Sequence, residues 1–335
     1  MQRLRIIHNH LARPVTTVCV TGAAGQIAYS FLPHLCRGNV LGTEQAIDLR
    51  LLDIPASLQA VEGVVMELKD SAYHLLTNIT VTADPKVAFK DADLIVFFGG
   101  FPRKQGMERK ELISKNTSIF KEQGQALNLV GKKTTKCVVV ANPANTNCLA
   151  LATFASGIPK ENFTCLTRLD QNRAYSQIAE KSGANVENIK NIAIWGNHSS
   201  TMYADVNHGT INGSKIREVV KDSHWLNTDF LTTVQQRGAA IIKARKQSSV
   251  LSAASSTVDH IKDWLFGTGE NIVSMGVFSD GSYDVPPGLI FSFPVTCKNG
   301  AYTIVKNLSV DKFSLEKISV TTRELLEEKK EGLEA

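Results

Sequence analysis

The sequence predicts an α/β protein: a doubly wound parallel sheet followed by a mixed α/β domain. Three observations carry this. Short β-branched runs alternate with helix-length amphipathic segments as far as about residue 163. The strand-like runs are apolar on both sides, as expected of strands covered by helices on two faces. Beyond residue 163 the alternation gives way to turn-rich, hairpin-like stretches. A chain of 335 residues exceeds what one hydrophobic core usually serves. Residues 15–165 and 166–335 are therefore expected as two units, behind an N-terminal extension over 1–14.

In order, residues 15–21 read as a strand, 26–37 as a helix and 48–53 as a strand. Apolar positions 61, 64, 65 and 68 share a helical face, so 61–73 is helical. Strands follow at 79–82 and 94–98, a long helix at 110–130 and a strand at 136–141. In the second unit a strand at 164–168 precedes a helix at 170–183, and residues 189–195 read as a strand. Residues 206–211 with Asn212-Gly213 read as a hairpin, because Asn-Gly supplies the positive φ angles of a tight turn. Helices at 228–246 and 249–266, strands at 272–278, 289–295 and 301–305, and a charged helix from about residue 314 complete the chain.

Hydrophobic residues make up 43% and charged residues 21%, which excludes disordered and fibrous classes. Apolar runs of five residues are far short of the roughly 20 that cross a bilayer, so no membrane role is expected. The net charge is +5, of which residues 1–43 supply four arginines with no lysine and no acid. No block of like charge runs along the body, so nucleic acid is not an expected partner. The Arg-rich start, residues 1–14, reads as a soluble tail in a cytoplasmic protein or, alternatively, as an organelle transit peptide. Six cysteines without a Cys-x-x-Cys pair read as reduced core thiols, and no metal ligand set is expected.

Between the first strand and helix lies Gly22-Ala23-Ala24-Gly25-Gln26-Ile27-Ala28. A dinucleotide turn needs a glycine for the tight bend, a second where backbone meets pyrophosphate, and a small residue where helix packs on strand. Gly22, Gly25 and Ala28 meet those needs, and the helix N-terminus offers free N–H groups to phosphate. Asp53 ends the next strand, 28 residues beyond Gly25, where a carboxylate accepts ribose hydroxyls and repels a 2′-phosphate. This predicts a Rossmann-type domain with NAD rather than NADP. A Walker A loop is absent. Tyr302 and Lys306 have the spacing of a short-chain dehydrogenase pair, but on a strand they stand roughly 13 Å apart.

Three later segments complete a constellation. Asp170 and Arg173 are neighbours on one helix face. His198 follows a strand end, and residues 101–109 form a basic, glycine-bearing loop after the fourth strand. Together they suit hydride transfer to a ketone that carries carboxylates. A histidine supplies the proton near neutral pH, and a carboxylate such as Asp170 orients its ring. Arginine alone gives a planar two-point clamp for an anionic substrate, and further arginines on the loop would exclude water.

These motifs resemble the lactate/malate dehydrogenase family, in its cytosolic malate branch, from about residue 16 to 330. The glycine turn and Leu51-Leu-Asp-Ile54 carry the resemblance, with Pro102-Arg103, Gly106-Met-Glu-Arg-Lys110 and Asn142-Pro-Ala-Asn-Thr-Asn-Cys148. Thr167-Arg-Leu-Asp-x-Asn-Arg-Ala174, Ile194-Trp-Gly-Asn-His-Ser199 and Thr233-Val-Gln-Gln-Arg-Gly-Ala239 extend it. The resemblance implies reversible NAD-dependent oxidation of (S)-malate to oxaloacetate by a homodimer. His198 would be the acid/base and Asp170 its partner. Arg173 would clamp the carboxylate beside the reacting carbon, Arg103 the distal carboxylate, and Arg109 would polarise the carbonyl. Asn142 would hold substrate and cofactor together, and Asn116, Gln123, Val140 and Ala141 would approach NAD. Lactate-specific relatives carry glutamine in place of Arg103, and an unpaired guanidinium in a closed site costs roughly 2–5 kcal/mol. Ala141 and Lys104-Gln105 depart from the family pattern. Two rivals stay open: another 2-hydroxyacid dehydrogenase, and an NAD-binding protein without turnover.

Overall fold

The computed structural model describes residues 14–102 and 107–333. The first half runs β1 (Val15–Thr21), α1 (Gln26–Cys36), β2 (Ala46–Leu52), α2 (Leu58–Asp70), β3 (Leu76–Thr82), α3 (Pro85–Phe89) and β4 (Leu94–Phe97). It continues with α4 (Arg109–Val130), β5 (Lys136–Val139), α5 (Ala144–Phe154) and β6 (Phe163–Cys165). The six strands are parallel in the order β3-β2-β1-β4-β5-β6, the order of a dinucleotide-binding sheet. The apolar strands follow from burial on both faces. Val18 and Val20 join one core, while Cys19 between them joins the other with Ile95, Phe97, Phe120 and Val139.

The second half contains α6 (Arg168–Ser182), β7 (Ile189–Lys190), β8 (Ala193–Trp195), β9 (Tyr203–Asp205), β10 (Thr210–Ile211) and β11 (Ser214–Lys215). Then come α7 (Ile216–Val220), α8 (Ser223–Asn227), α9 (Asp229–Arg245), α10 (Leu251–Phe266), β12 (Val273–Phe278), β13 (Ile290–Lys298), β14 (Ala301–Ile304) and α11 (Lys312–Leu333). Strands β12, β13 and β14 continue the same sheet antiparallel beyond β6, so one nine-stranded sheet runs through the expected boundary at 165/166. The Asn212-Gly213 hairpin forms at φ 51° and 82°, pairing Thr210 with Lys215. Tyr302 lies in β14, and Lys306 is drawn to Asp280 at 3.0 Å, consistent with a strand rather than a helical Tyr-Lys pair.

Three expected strands come out differently. The one over 206–211 keeps only Thr210–Ile211, because residues 206–209 turn, with Gly209 N on Val206 O at 3.0 Å. The run over 189–195 is split at Asn191, whose φ of 60° breaks the extended backbone. Its first piece pairs with β10 and its second with β9. The strand expected over 164–168 stops at Cys165, because Arg168 already begins α6. Helix α5 is buried from Ala144 through Ala152 and so has no polar face to give a 3.6-residue pattern. All six cysteines are buried free thiols. Burial pushes the Cys36 and Cys297 thiols up to about 12, so little thiolate forms near neutrality. Among the described residues no helix is long and apolar enough to cross a membrane.

Candidate active site

A cavity of about 1060 Å³ opens at the C-terminal ends of the parallel strands, where the crossing connections of such a sheet leave a crevice. Ile27 lines it from α1, Phe98 and Gly100 from beyond β4, and Val140, Ala141 and Asn142 from beyond β5. Arg173, His198 and Ser249 line its other side.

The glycine turn after β1 is built from backbone. Gly22 sits at φ 64°, and a Cβ there would stand 2.5 Å from Gly99 Cα, so a side chain is excluded both by conformation and by contact. Gly25 N donates to Gly22 O at 2.9 Å, and the first bond of α1 runs from Tyr29 N to Gly25 O. The N–H groups of Gln26, Ile27 and Ala28 precede that bond, and Gly25 caps the helix without a side chain. Ala23 and Ala28 are fully buried, which is why both are small. Asp53 follows β2 and faces the turn. Its Oδ2 accepts from Ala24 N at 2.8 Å, and its Oδ1 from Ile54 N at 2.8 Å. The bare cradle and the helix N-terminus fit a dinucleotide pyrophosphate.

Asn116 and Gln123 do not line the cavity. Asn116 Oδ1 accepts from Phe101 N at 2.8 Å, and its Nδ2 donates to Phe101 O at 3.1 Å and Leu112 O at 3.0 Å. Its side chain is thus spent on fixing the segment after β4. Gln123 Oε1 is buried without a hydrogen-bond partner.

The substrate side is built from side chains. Asp170 lies in the first turn of α6, 3% exposed, and its Oδ2 stands 2.5 Å from His198 Nδ1. That fixes the ring by one nitrogen and leaves Nε2 for a reacting group. Arg173, one turn along α6, donates from Nη1 to Asp170 Oδ1 at 3.2 Å and from Nη2 to Ser249 Oγ at 3.1 Å. His198 N donates to Asn145 Oδ1 at 2.9 Å, and Asn145 Nδ2 reaches Gly196 O and Ile290 O at 3.2 and 3.1 Å. Asn147 Nδ2 holds Ala141 O at 2.9 Å. Before His198, Gly196 takes φ 97° with Thr321 against it, where a Cβ would meet the threonine methyl at 2.1 Å.

Arg109, like Asn116 and Gln123, is an expected site residue that does not line this cavity. It opens α4, and its guanidinium pairs with Glu328 and, at 2.5 Å, with Glu324 of α11. Two carboxylates attract this half-exposed cation. Burial disfavours the Arg109 charge, but hydrogen bonds and attraction from Glu328 and Glu324 outweigh it and raise its pKa. Arg103 lies outside the described residues. Sequence reasoning missed Asn145, Ser249, Glu324 and Glu328. Asn145 lay inside a quoted motif, whereas acids four apart on a charged helix read as a solvated face. Among the described residues no group of three His, Cys, Asp or Glu side chains is placed to hold a metal ion.

Two family models match this chain. The lactate/malate dehydrogenase NAD binding domain covers residues 16–164, and the lactate/malate dehydrogenase alpha/beta C-terminal domain covers 167–335. A cytoplasmic malate dehydrogenase of Zea mays is 55% identical over 95% of this chain and 98% of its own length. The crystal structure of malate dehydrogenase from Naegleria fowleri superposes with a TM-score of 0.93 at 44% identity, over 95% of this chain and 98% of that one. A Trichomonas vaginalis lactate dehydrogenase in complex with NADH and oxamate gives 0.91 at 35% identity, over 95% and 98%. With its parallel sheet, its glycine turn and its paired Asp170 and His198, the chain belongs to the lactate/malate dehydrogenase family.

Proposed function

We infer that this chain is an NAD-dependent enzyme interconverting (S)-malate and oxaloacetate. The observation that carries the reading is the Asp170–His198–Arg173 group, whose histidine and arginine face the same cavity as Ile27, Val140 and Asn142. NAD, which the Gly22–Ala28 turn and Asp53 would hold, would supply the hydride chemistry at the malate carbon. His198 Nε2 takes the hydroxyl proton during oxidation and gives it back during reduction. The Asp170 carboxylate stabilises the imidazolium that forms and keeps the ring from turning. Arg173, its fork already set by Asp170 and Ser249, clamps the carboxylate beside the reacting carbon. Arg109 polarises the carbonyl once it has left its glutamates, and Asn142 holds the substrate against the cofactor. Asp53 disfavours a 2′-phosphate and so selects NAD.

Arg103 reads the distal carboxylate, and the choice between oxaloacetate and pyruvate rests on it. The decisive assay crosses oxaloacetate and pyruvate with NADH and NADPH and follows initial rates. Fast turnover with oxaloacetate and NADH alone supports Arg103 and Asp53 in these roles. Turnover with pyruvate, or a preference for NADPH, overturns one of them. Arg103→Gln is expected to lower the oxaloacetate-to-pyruvate preference at least roughly a hundredfold; an unchanged ratio assigns the distal carboxylate to another residue. The same reading makes the chain a homodimer, which sedimentation tests, and a cytoplasmic protein. A fusion of residues 1–14 to a reporter that entered an organelle would overturn the latter.

A further inference from the structure

Two acidic residues of α11 reach into the catalytic turn from outside it. Glu328 is 2% exposed and accepts from Asn197 Nδ2 at 2.9 Å and from Thr146 Oγ1. Glu324, one turn earlier, accepts from Asn197 Nδ2 at 3.0 Å, Thr201 Oγ1 at 2.5 Å and Ser199 Oγ. The pair therefore gathers polar side chains from both sides of His198. Like charges four apart on a helix repel, so this arrangement needs a counter-charge, and Arg109 supplies it to both. Hydrogen bonds from Ser199 and Thr201, with the Arg109 charge, overcome burial and hold the Glu324 carboxyl below the usual range.

The neighbours of Arg109 on α4 face a different recess from its own. Glu108 just before it and Leu112 one turn after it both line the large cavity, whereas Arg109 lines a separate recess of about 370 Å³ with Glu324 and Glu328. Its long side chain leaves the first turn of α4 between the two.

We propose that Glu324 and Glu328 are positioning residues that seat Arg109 away from the cavity while holding the His198 turn. A dicarboxylate substrate must draw the guanidinium off this seat, which lowers its apparent affinity by the stability of the seat. The proposal rests on the reading of Arg109 as the residue that polarises the carbonyl. When Arg109 leaves, Thr146 and the donors of the His198 turn still hold both carboxylates, but their mutual repulsion is no longer offset, which adds to the stability of the seat.

The test is a double-mutant cycle on the full-length protein. The probe is hydroxymalonate, a dicarboxylate that cannot be reduced, titrated by fluorescence into the enzyme–NADH complex. Glu324→Gln keeps size and hydrogen bonding but removes the charge that holds Arg109. It is expected to tighten hydroxymalonate binding roughly three- to tenfold, and the gain should vanish in an Arg109→Gln background. Unchanged or weaker binding in Glu324→Gln overturns the seat. Equal tightening in both backgrounds overturns it too, since it would report only a less negative surface. Glu328→Gln must move affinity in the same direction and carries the test if Glu324→Gln does not fold. If Arg109→Gln turns over at the parent rate, the carbonyl-polarising role fails, while the titrations still decide the seat.

Discussion

The cofactor turn and the catalytic turn solve the same problem, fixing a few atoms at a crevice, by opposite means. The first is written mostly in backbone within residues 22–54, with Gly25 N on Gly22 O and one carboxylate, Asp53, bracing Ala24 and Ile54, while Gly99 beyond β4 packs against Gly22. The second is held by side chains from distant elements, with Asn145 on α5, Asp170 on α6, and Thr321, Glu324 and Glu328 on α11 all converging on residues 196–201. The first turn is complete once β4 has paired with β1 and brought Gly99 against Gly22. The second is complete only when the C-terminal helix has docked.

The two regions should therefore fail separately. His198→Asn is expected to cost roughly 10²–10⁴ in turnover while NADH affinity, measured by fluorescence titration, stays at the parent value. A parallel loss of NADH binding would erase the distinction. Gly22→Ala should do the converse. A Cβ 2.5 Å from Gly99 Cα, at a positive φ, is expected to weaken NADH binding roughly 10- to 100-fold. The spacing of His198 and Asp170 should survive, as a crystal structure of the variant would show.

The smallest expected effect concerns a histidine that is not in either turn. His260 on α10 is fully buried, with Nε2 2.9 Å from Thr164 Oγ1 and Nδ1 without a partner. Burial, with a smaller repulsion from Arg168, lowers its pKa to about 3. Between about pH 6.5 and 3 the unfolded chain binds a proton that the folded chain refuses. Stability is thus lost as pH falls through that window, by at most about 1.4 kcal/mol per unit. His260→Gln is expected to shrink the difference in unfolding free energy between pH 7 and 5 by about 1–2 kcal/mol, read from urea midpoints. Equal pH slopes in parent and variant would remove His260 from the account.

What could be read from sequence follows the same division. The glycine turn and Asp53 were legible because their spacing is itself the geometry. Asp170, Arg173 and His198 were legible as residue types suited to one reaction, although only the structure brings them into one cluster. The carboxylates of α11 were not legible, because burial of Glu328 depends on Asn197 and Thr146, both more than a hundred residues away. The split of the strand at Asn191 was hidden for another reason. Its neighbours Ile189 and Ile192 are both buried, so the run looked continuous while the backbone turned. The resemblance implies that Arg109 polarises the carbonyl, but its partners in the structure, Glu324 and Glu328, carry no signal in the sequence.

Strand β6 has one face of its ladder on β5 and the other on β12, through Gly276 opposite Cys165. During synthesis β6 is the last of the first six strands to emerge, and β12 ends at Phe278, more than 110 residues later. At about 5–20 residues per second, the outer edge of β6 waits roughly 5–20 s for its neighbour. An open apolar edge is a template for another chain. For that interval the nascent protein carries an open edge that its finished form covers.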